Sequence, residues 1–309
     1  MRIYLAAVQT RLDPAFYQSP EAFRLGVDQA IAEALSSAPL DAQRIVAFPE
    51  LFGLPLLFWM NAPDPVFDAK TTIGAALRWL SELGPRAIAL GPWGFYHRRA
   101  LEVWPHYREA FVQAARKHRA YVFAGTWLAP TLDEEPGRGV YPLGLTVRNW
   151  GFWVNPHGSV LARPEKMRLM PEERKALVRP GSWGGQVIRT KLGTLATLIC
   201  LDAFHETLVE RVDATGAWLV VQPSANPARW EAPWRPDPRR TEGEVWLTEG
   251  LPQKLKEREH LRYGLNPMLV GDFYELHFEG ISNIAAPGAV LKRVEEPTTP
   301  GSTGVLVEL

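Results

Sequence analysis

The alternation of short apolar strands with amphipathic helices along this chain predicts an α/β layered domain. Residues 2–8 form an apolar strand. Residues 20–36 follow, with Pro20 near their start and Phe23, Val27, Ile31 and Leu35 at spacings of four, as on one face of a helix. Residues 44–48 make a short buried strand that runs into Pro49 and Glu50. The order returns at 194–226: an apolar, β-branched run at 194–199, a polar helix-compatible stretch at 202–213, and a second apolar run at 218–221. The turn Pro223-Ser224-Ala225-Asn226 closes it. Two strand–helix halves are therefore expected, one from 1 to 126 and one from 186 to the end.

The remaining elements fit between these landmarks. Residues 71–83 and 107–118 read as helices, 87–90 as a helical turn, and 120–127 as a strand. Residues 131–139 are polar and turn-rich, which predicts a connector. Residues 145–154 and 159–162 flank Asn155-Pro156-His157-Gly158 and predict a β-hairpin. A strand is expected at 186–189, a helix at 251–264 and a short strand at 268–270. A second hairpin is expected at 280–292 around Ala286-Pro287-Gly288, and a closing strand at 304–309. Residues 227–250 are rich in Pro, Trp and Arg and show little periodicity, which predicts a long loop.

Composition bounds the function. The chain has 309 residues and equal numbers, 34 each, of basic and acidic side chains, so no global field selects nucleic acid. A single cysteine excludes an intrachain disulfide and any multi-cysteine metal site. No His-x-x-x-His pair or other ligand spacing points to a metal, and no glycine fingerprint points to a nucleotide, so no cofactor is expected. The opening residues lack the longer apolar region and cleavage site of a signal peptide, and no apolar run reaches spanning length. A soluble cytoplasmic protein with a small-molecule substrate, no nucleic acid and no membrane is the expectation.

Three side chains stand where chemistry could be done. Cys200 ends a strand just before a helix, where backbone N–H groups and the helix dipole favour negative charge. That position lowers a thiol's pKa and offers donors to an oxyanion. On this stretch alone a small buried hydrophobe is the favoured reading. Glu50 ends an apolar strand among Leu51, Phe52 and Leu54, which raises a carboxylate's pKa toward that of a general base; a solvated strand end is the plainer reading. Lys166 lies in a charged loop, where lysines are ordinarily solvated. Glu172 and Glu173 follow Pro171 as at a helix start. A Cys–His pair through His205 is a further alternative, without a local signature to support it.

Together, Glu50 in FPELFG, Lys166 in RPEKMRL and Cys200 in LICLDAFHE resemble the nitrilase superfamily of carbon–nitrogen hydrolases, whose Glu–Lys–Cys triad occurs in this order. AAVQ at 6–9, Gly125-Thr126, Asn149 with NPHGSVLARPEK, Pro180-Gly181, PSANP and EGISNIAAPGAVL extend the resemblance over most of the chain. It implies a four-layer αββα sandwich of two mixed β-sheets with helices outside. It also implies that residues 1–309 form one carbon–nitrogen hydrolase domain, and a homodimer or higher homo-oligomer.

By the same resemblance Cys200 is the nucleophile, Glu50 the general base, and Lys166 the oxyanion partner, helped by the backbone N–H of Leu201. Glu173, or alternatively Glu172, is the second glutamate. Phe204, Asn226 and Trp150, with Phe58 and Trp59, are pocket candidates by their place in the pattern. The expected reaction is cleavage of a non-peptide C–N bond in a small amide, N-carbamoyl or ω-amide compound through a thioester. Leu201-Asp202 after the cysteine, where nitrile hydrolases of the superfamily usually have Trp-Glu, favours an amidase-type activity. Nitrile hydrolysis and a non-catalytic binding member are the alternatives. The segment 227–250 is expected to be a lid or an interface, with Trp230 and Trp234 over the pocket and its arginines favouring a carboxylate-bearing substrate.

Overall fold

The computed structural model describes residues 1–309 except Pro136, Arg138 and Ala176 and the side chains of Arg86, Glu172 and Lys175. The strands in chain order are β1 (Arg2–Arg11), β2 (Gln43–Ala47), β3 (Ala120–Glu135), β4 (Gly139–Val154), β5 (Val160–Ala162), β6 (Val187–Thr190), β7 (Gly193–Thr197) and β8 (Leu219–Val221). They continue with β9 (Pro233–Trp234), β10 (Asp237–Thr241), β11 (Tyr263–Asn266), β12 (Leu269–Phe273), β13 (Leu276–Phe278), β14 (Asn283–Ala286), β15 (Ala289–Arg293) and β16 (Gly301–Glu308). One mixed sheet runs β13-β12-β1-β2-β3-β4-β5, with β16 also paired to β1. The second runs β15-β14-β11-β8-β7-β6.

The layering follows from strands that are apolar on both faces. Along β1, Ile3, Leu5 and Ala7 pack with Ile45 and Phe123 of their own sheet and with Leu195, Leu219, Val221 and Leu265 of the other sheet. The alternate residues Tyr4, Ala6 and Val8 pack with Phe23, Val27 and Ile31 of the helix Pro20–Ala34 and with Phe111 of the helix Pro92–His118. On the far side of the second sheet, Ala196, Leu198 and Val220 meet Leu208, Val209 and Val212 of the helix Glu206–Asp213. A period of two thus gives each sheet one face for its partner sheet and one for helices. The αββα sandwich expected from the resemblance is the observed architecture.

Several local expectations need correction. The helix expected at 107–118 begins at Pro92 and passes through Pro105; a proline inside a helix interrupts its sequence pattern without ending it here. Of the connector expected at 131–139, the residues up to Glu135 and Gly139 belong to the paired strands β3 and β4, and Pro136 and Arg138 lie outside the described residues. The helix expected at 251–264 stops at Lys254. The two strand–helix halves are joined through the first sheet, to which β12, β13 and β16 return, with β16 paired to β1 from Arg2↔Glu308 to Gln9↔Gly301. Among the described residues no helix is long and apolar enough to cross a membrane.

Candidate active site

Glu50, Lys166 and Cys200 come from three turns, each pinned by backbone contacts. The Glu50 turn follows β2. Thr126 accepts from Leu51 N–H through Oγ1 at 2.9 Å, and its own N–H donates to the Pro49 carbonyl at 3.2 Å. Gly125 has φ +76°, and a side chain there would fall 2.5 Å from the Pro49 oxygen, so only glycine lets β3 approach so closely. The Lys166 loop is tied to β4, since Lys166 N–H donates to the Asn149 carbonyl at 2.8 Å. Cys200 sits at φ +50°, in the left-handed region. Its N–H donates to the Pro223 carbonyl at 2.9 Å and its carbonyl accepts from Gln222 Nε2 at 3.0 Å. These contacts from the residues just after β8 hold the strained turn in place.

The side chains converge on Lys166. Its Nζ lies 2.7 Å from Glu50 Oε1 and 2.8 Å from Glu173 Oε2, and both Lys166 and Glu50 are buried. Asn149 Nδ2 donates to Glu50 Oε1 at 2.8 Å and to Glu173 Oε1 at 3.1 Å. Glu50 Oε2 accepts from the Ala225 N–H at 3.0 Å. The Glu173 side chain is thus on the lysine; that of Glu172 lies outside the described residues. Burial raises the pKa of Glu50, against the opposing charge of Lys166. Burial alone would lower that of Lys166, but the carboxylates of Glu50 and Glu173 outweigh it and hold the ammonium charged.

Cys200 corrects one expectation. Burial, and then the charge of Glu50, push the thiol up rather than down. The turn it opens is a 3-10 segment, Cys200–Phe204, and the α-helix begins only at Glu206. The helix dipole expected at the sulfur is therefore displaced by one turn, while a carboxylate sits beside it. The resting form is the neutral thiol, and attack requires a base to remove its proton. The Leu201 N–H, next in the turn, has no protein acceptor among the described residues. Burial and the charges of Arg168 and Lys254 lower the pKa of His205.

Asp202 is a part that sequence reasoning missed. Its carboxylate accepts from Met167 N–H at 3.0 Å and Arg168 N–H at 2.6 Å, so the cysteine turn clamps the lysine loop directly. The signal was available in its place two residues after Cys200, without a partner to give it meaning. Burial raises its pKa to about 7 from the ordinary 3.8, against the two N–H donors. A carboxyl raised on folding favours the fold fully only below its unfolded pKa, and the contribution is lost as pH rises to the folded value. We expect Asp202→Asn to flatten the fall in melting temperature between about pH 4 and pH 7, as thermal melts across that range would show.

The pocket candidates divide. Phe204 packs edge-on against Trp246 at 5.0 Å, in one apolar cluster with Cys200, Ile199, Trp230, Met268 and Ile281. Asn226 donates through Nδ2 to the carbonyls of Ala228 and Glu279. Trp150 is not brought to the cluster of Glu50, Lys166 and Cys200. It is 0% exposed, packs tilted against Trp104 and edge-on against Trp127, and donates to the Ala129 carbonyl. It sits on the face of β4 opposite Asn149, which the alternation of a strand requires. Phe58 and Trp59 are likewise core, packed on Phe273.

Segment 227–250 is more ordered than a loop. It holds the hairpin β9–β10 and the helix Glu242–Thr248, opened by a capping box between Thr241 and Glu244. Trp230 is buried, its N–H donates to Glu279 Oε2 at 2.7 Å, and its indole lies where a side chain on residue 243 would be, which requires Gly243. Arg239 pairs with Asp237 and Arg240 with Glu249, so neither is free for a substrate carboxylate. We expect Trp230→Ala to cost about 3–5 kcal/mol and to open the Arg239-Arg240 bond to trypsin; unchanged limited proteolysis would remove Trp230 as the anchor of this segment.

A fold comparison bears on the whole arrangement. A cysteine-to-serine variant of the amidase of Nesterenkonia sp. AN1, from the nitrilase superfamily, superposes with a TM-score of 0.60 at 20% identity, over 99% of this chain and 90% of that one. The chain has the nitrilase-superfamily fold. A carbon–nitrogen hydrolase from Helicobacter pylori G27 gives a TM-score of 0.65 at 16% identity, over 98% and 89%. A glutamate-to-glutamine variant of the Nesterenkonia amidase gives 0.59 at 19% identity, over 100% and 93%; it carries the product of Michael addition of acrylamide at its active-site cysteine. No family model and no curated protein matches the sequence. At these identities it is the nitrilase fold that is shared, and the chemistry has to be argued from the side chains.

Proposed function

We propose that this chain, read as one domain over residues 1–309, is a carbon–nitrogen hydrolase of amidase type working through a Cys200 thioester. The observation that carries this reading is the buried lysine between two carboxylates beside a protonated thiol. A charged lysine and two glutamates are expensive to bury, and structural packing alone gives little reason to keep them together.

The geometry supports a definite sequence of steps. Cys200 Sγ attacks the carbonyl carbon as Glu50 removes its proton. The oxyanion forms against the Lys166 ammonium and the unoccupied Leu201 N–H, donors that need no reorganisation. Glu50 returns the proton to the leaving nitrogen, and ammonia or an amine departs. Glu50 then deprotonates a water that attacks the thioester, and the carboxylate product leaves as Sγ regains its proton. Glu173 keeps Lys166 charged and aimed throughout.

Ammonia release across small amides, N-carbamoyl compounds, ω-amides and nitriles tests the proposal and names the branch. Turnover of amides with an acyl adduct on Cys200 by intact mass is expected. Turnover of nitriles alone would move the chain to the nitrile-hydrolase reading. No turnover and no adduct with any of them would leave the non-catalytic reading standing.

A further inference from the structure

Asn149, like Lys166, is in contact with both glutamates of the site. It is fully buried on β4, paired across the hairpin with Leu128, and its carbonyl accepts from the Lys166 N–H. Its amide can be oriented in only one way, because ionised carboxylates accept and do not donate. The Nδ2 group therefore serves Glu50 Oε1 and Glu173 Oε1, and Oδ1 is left without a protein partner. A buried amide oxygen without a donor is costly. It is retained here because the opposite face of the amide has two acceptors to satisfy.

Counting lone pairs gives this contact a consequence. Each carboxylate oxygen has about two acceptor positions. On Glu50, Oε1 receives both Asn149 Nδ2 and Lys166 Nζ, so its positions are filled. Oε2 receives the Ala225 N–H, which leaves a position for a further donor, and the Cys200 thiol lies within hydrogen-bonding reach of the Glu50 carboxyl. We propose that Asn149 is a positioning residue that, with Lys166, fills Glu50 Oε1 and so directs the Cys200 proton to Oε2. The S–H bond breaks, the Oε2–H bond forms, and the sulfur electron pair makes the S–C bond. The same amide holds Glu173 on the other side of Lys166, so one side chain sets the spacing of both carboxylates about the ammonium. This rests on the reading of Cys200 as the nucleophile and Glu50 as its base.

Alkylation of Cys200 by iodoacetamide, followed by intact mass from pH 5 to 9, reads this without knowledge of the substrate. Wild type is compared with Asn149→Leu, which keeps the volume and removes the donor, with Asn149→Ala, and with Glu50→Gln. Loss of the donor weakens the ionised form of Glu50, so the acidic limb of the variant profiles is expected about one pH unit higher. The rate below that limb is accordingly expected to fall about tenfold. With any amide that is turned over, kcat is expected to fall while KM stays within about twofold. Variant profiles that superpose on wild type overturn the assignment of Asn149 and leave Glu50 as the base. A wild-type thiol no faster than that of Glu50→Gln overturns both. Loss of the folded far-UV spectrum in both Asn149 variants also overturns it, since that is a structural role.

Discussion

Cys200→Ala is expected to abolish ammonia release, by more than about 10³-fold, and to remove the covalent adduct, while the protein remains folded. The effect is large because no other group near the site can replace the sulfur. The chain has one cysteine, and the thiol's neighbours are a carboxylate, an ammonium and a second carboxylate. Cys200 packs in an apolar cluster with Trp230, Trp246 and Met268, so a methyl group suits the site and the fold should tolerate the change. Substrate binding is therefore expected to survive, and the variant should still be stabilised thermally by the amide it cannot cleave. An adduct on this variant, or activity within tenfold of wild type, would exclude Cys200 as the nucleophile.

Lys166→Met is expected to be strongly destabilising. Removing one partner from a buried ionic cluster leaves the others uncompensated, at a cost of about 3–5 kcal/mol. Here two carboxylates lose the same ammonium. Glu50, already raised by burial, rises further without it. A carboxyl whose folded pKa lies above its unfolded value loses its stabilising contribution as pH rises through the folded value. The variant is thus expected to be least stable at neutral and alkaline pH and to recover toward acidic pH, where its carboxyls are protonated. Denaturant unfolding at pH 5 and pH 8 measures this directly. Equal losses at both values would mean that the cost is one of packing rather than charge. Activity should be lost as well, because the oxyanion then has only the Leu201 N–H.

What could be read before the fold was known, and what could not, divides along physical lines. Glu50 stands out because it ends an apolar strand, a place where a carboxylate has few structural reasons to be, whereas Cys200 on its own stretch reads as a small buried hydrophobe and gains a role only through the resemblance. Lys166 was not visible in that way; its loop is charged, and only the resemblance singled it out. Phe204 stood near the cysteine turn by sequence and packs there. Trp150 was misplaced because a one-residue step along β4 turns a side chain to the other face of the sheet. The long helix through Pro105 was cut short because its apolar pattern crosses a residue that ordinarily ends helices. Segment 227–250 reads as a loop in the sequence because its order depends on Trp230 packing under Gly243, a contact that composition does not encode.

By itself the sequence determined the alternating strands and helices, the strand ends that carry Glu50 and Cys200, and, through its motifs, the set of residues worth bringing together. Those are local properties, set by periodicity and by neighbours within a few positions. Only the tertiary structure decided the contacts that make the set a site. Glu50 meets Asn149 across 99 positions, Lys166 across 116 and the Ala225 N–H across 175. The thiol's raised pKa, the pairing of Glu173 with the lysine, the clamp made by Asp202 and the placing of Asn149 between two carboxylates all depend on such distant approaches. Charge and burial act through space, and the chain brings these groups within 3 Å or so of one another only when both sheets have closed.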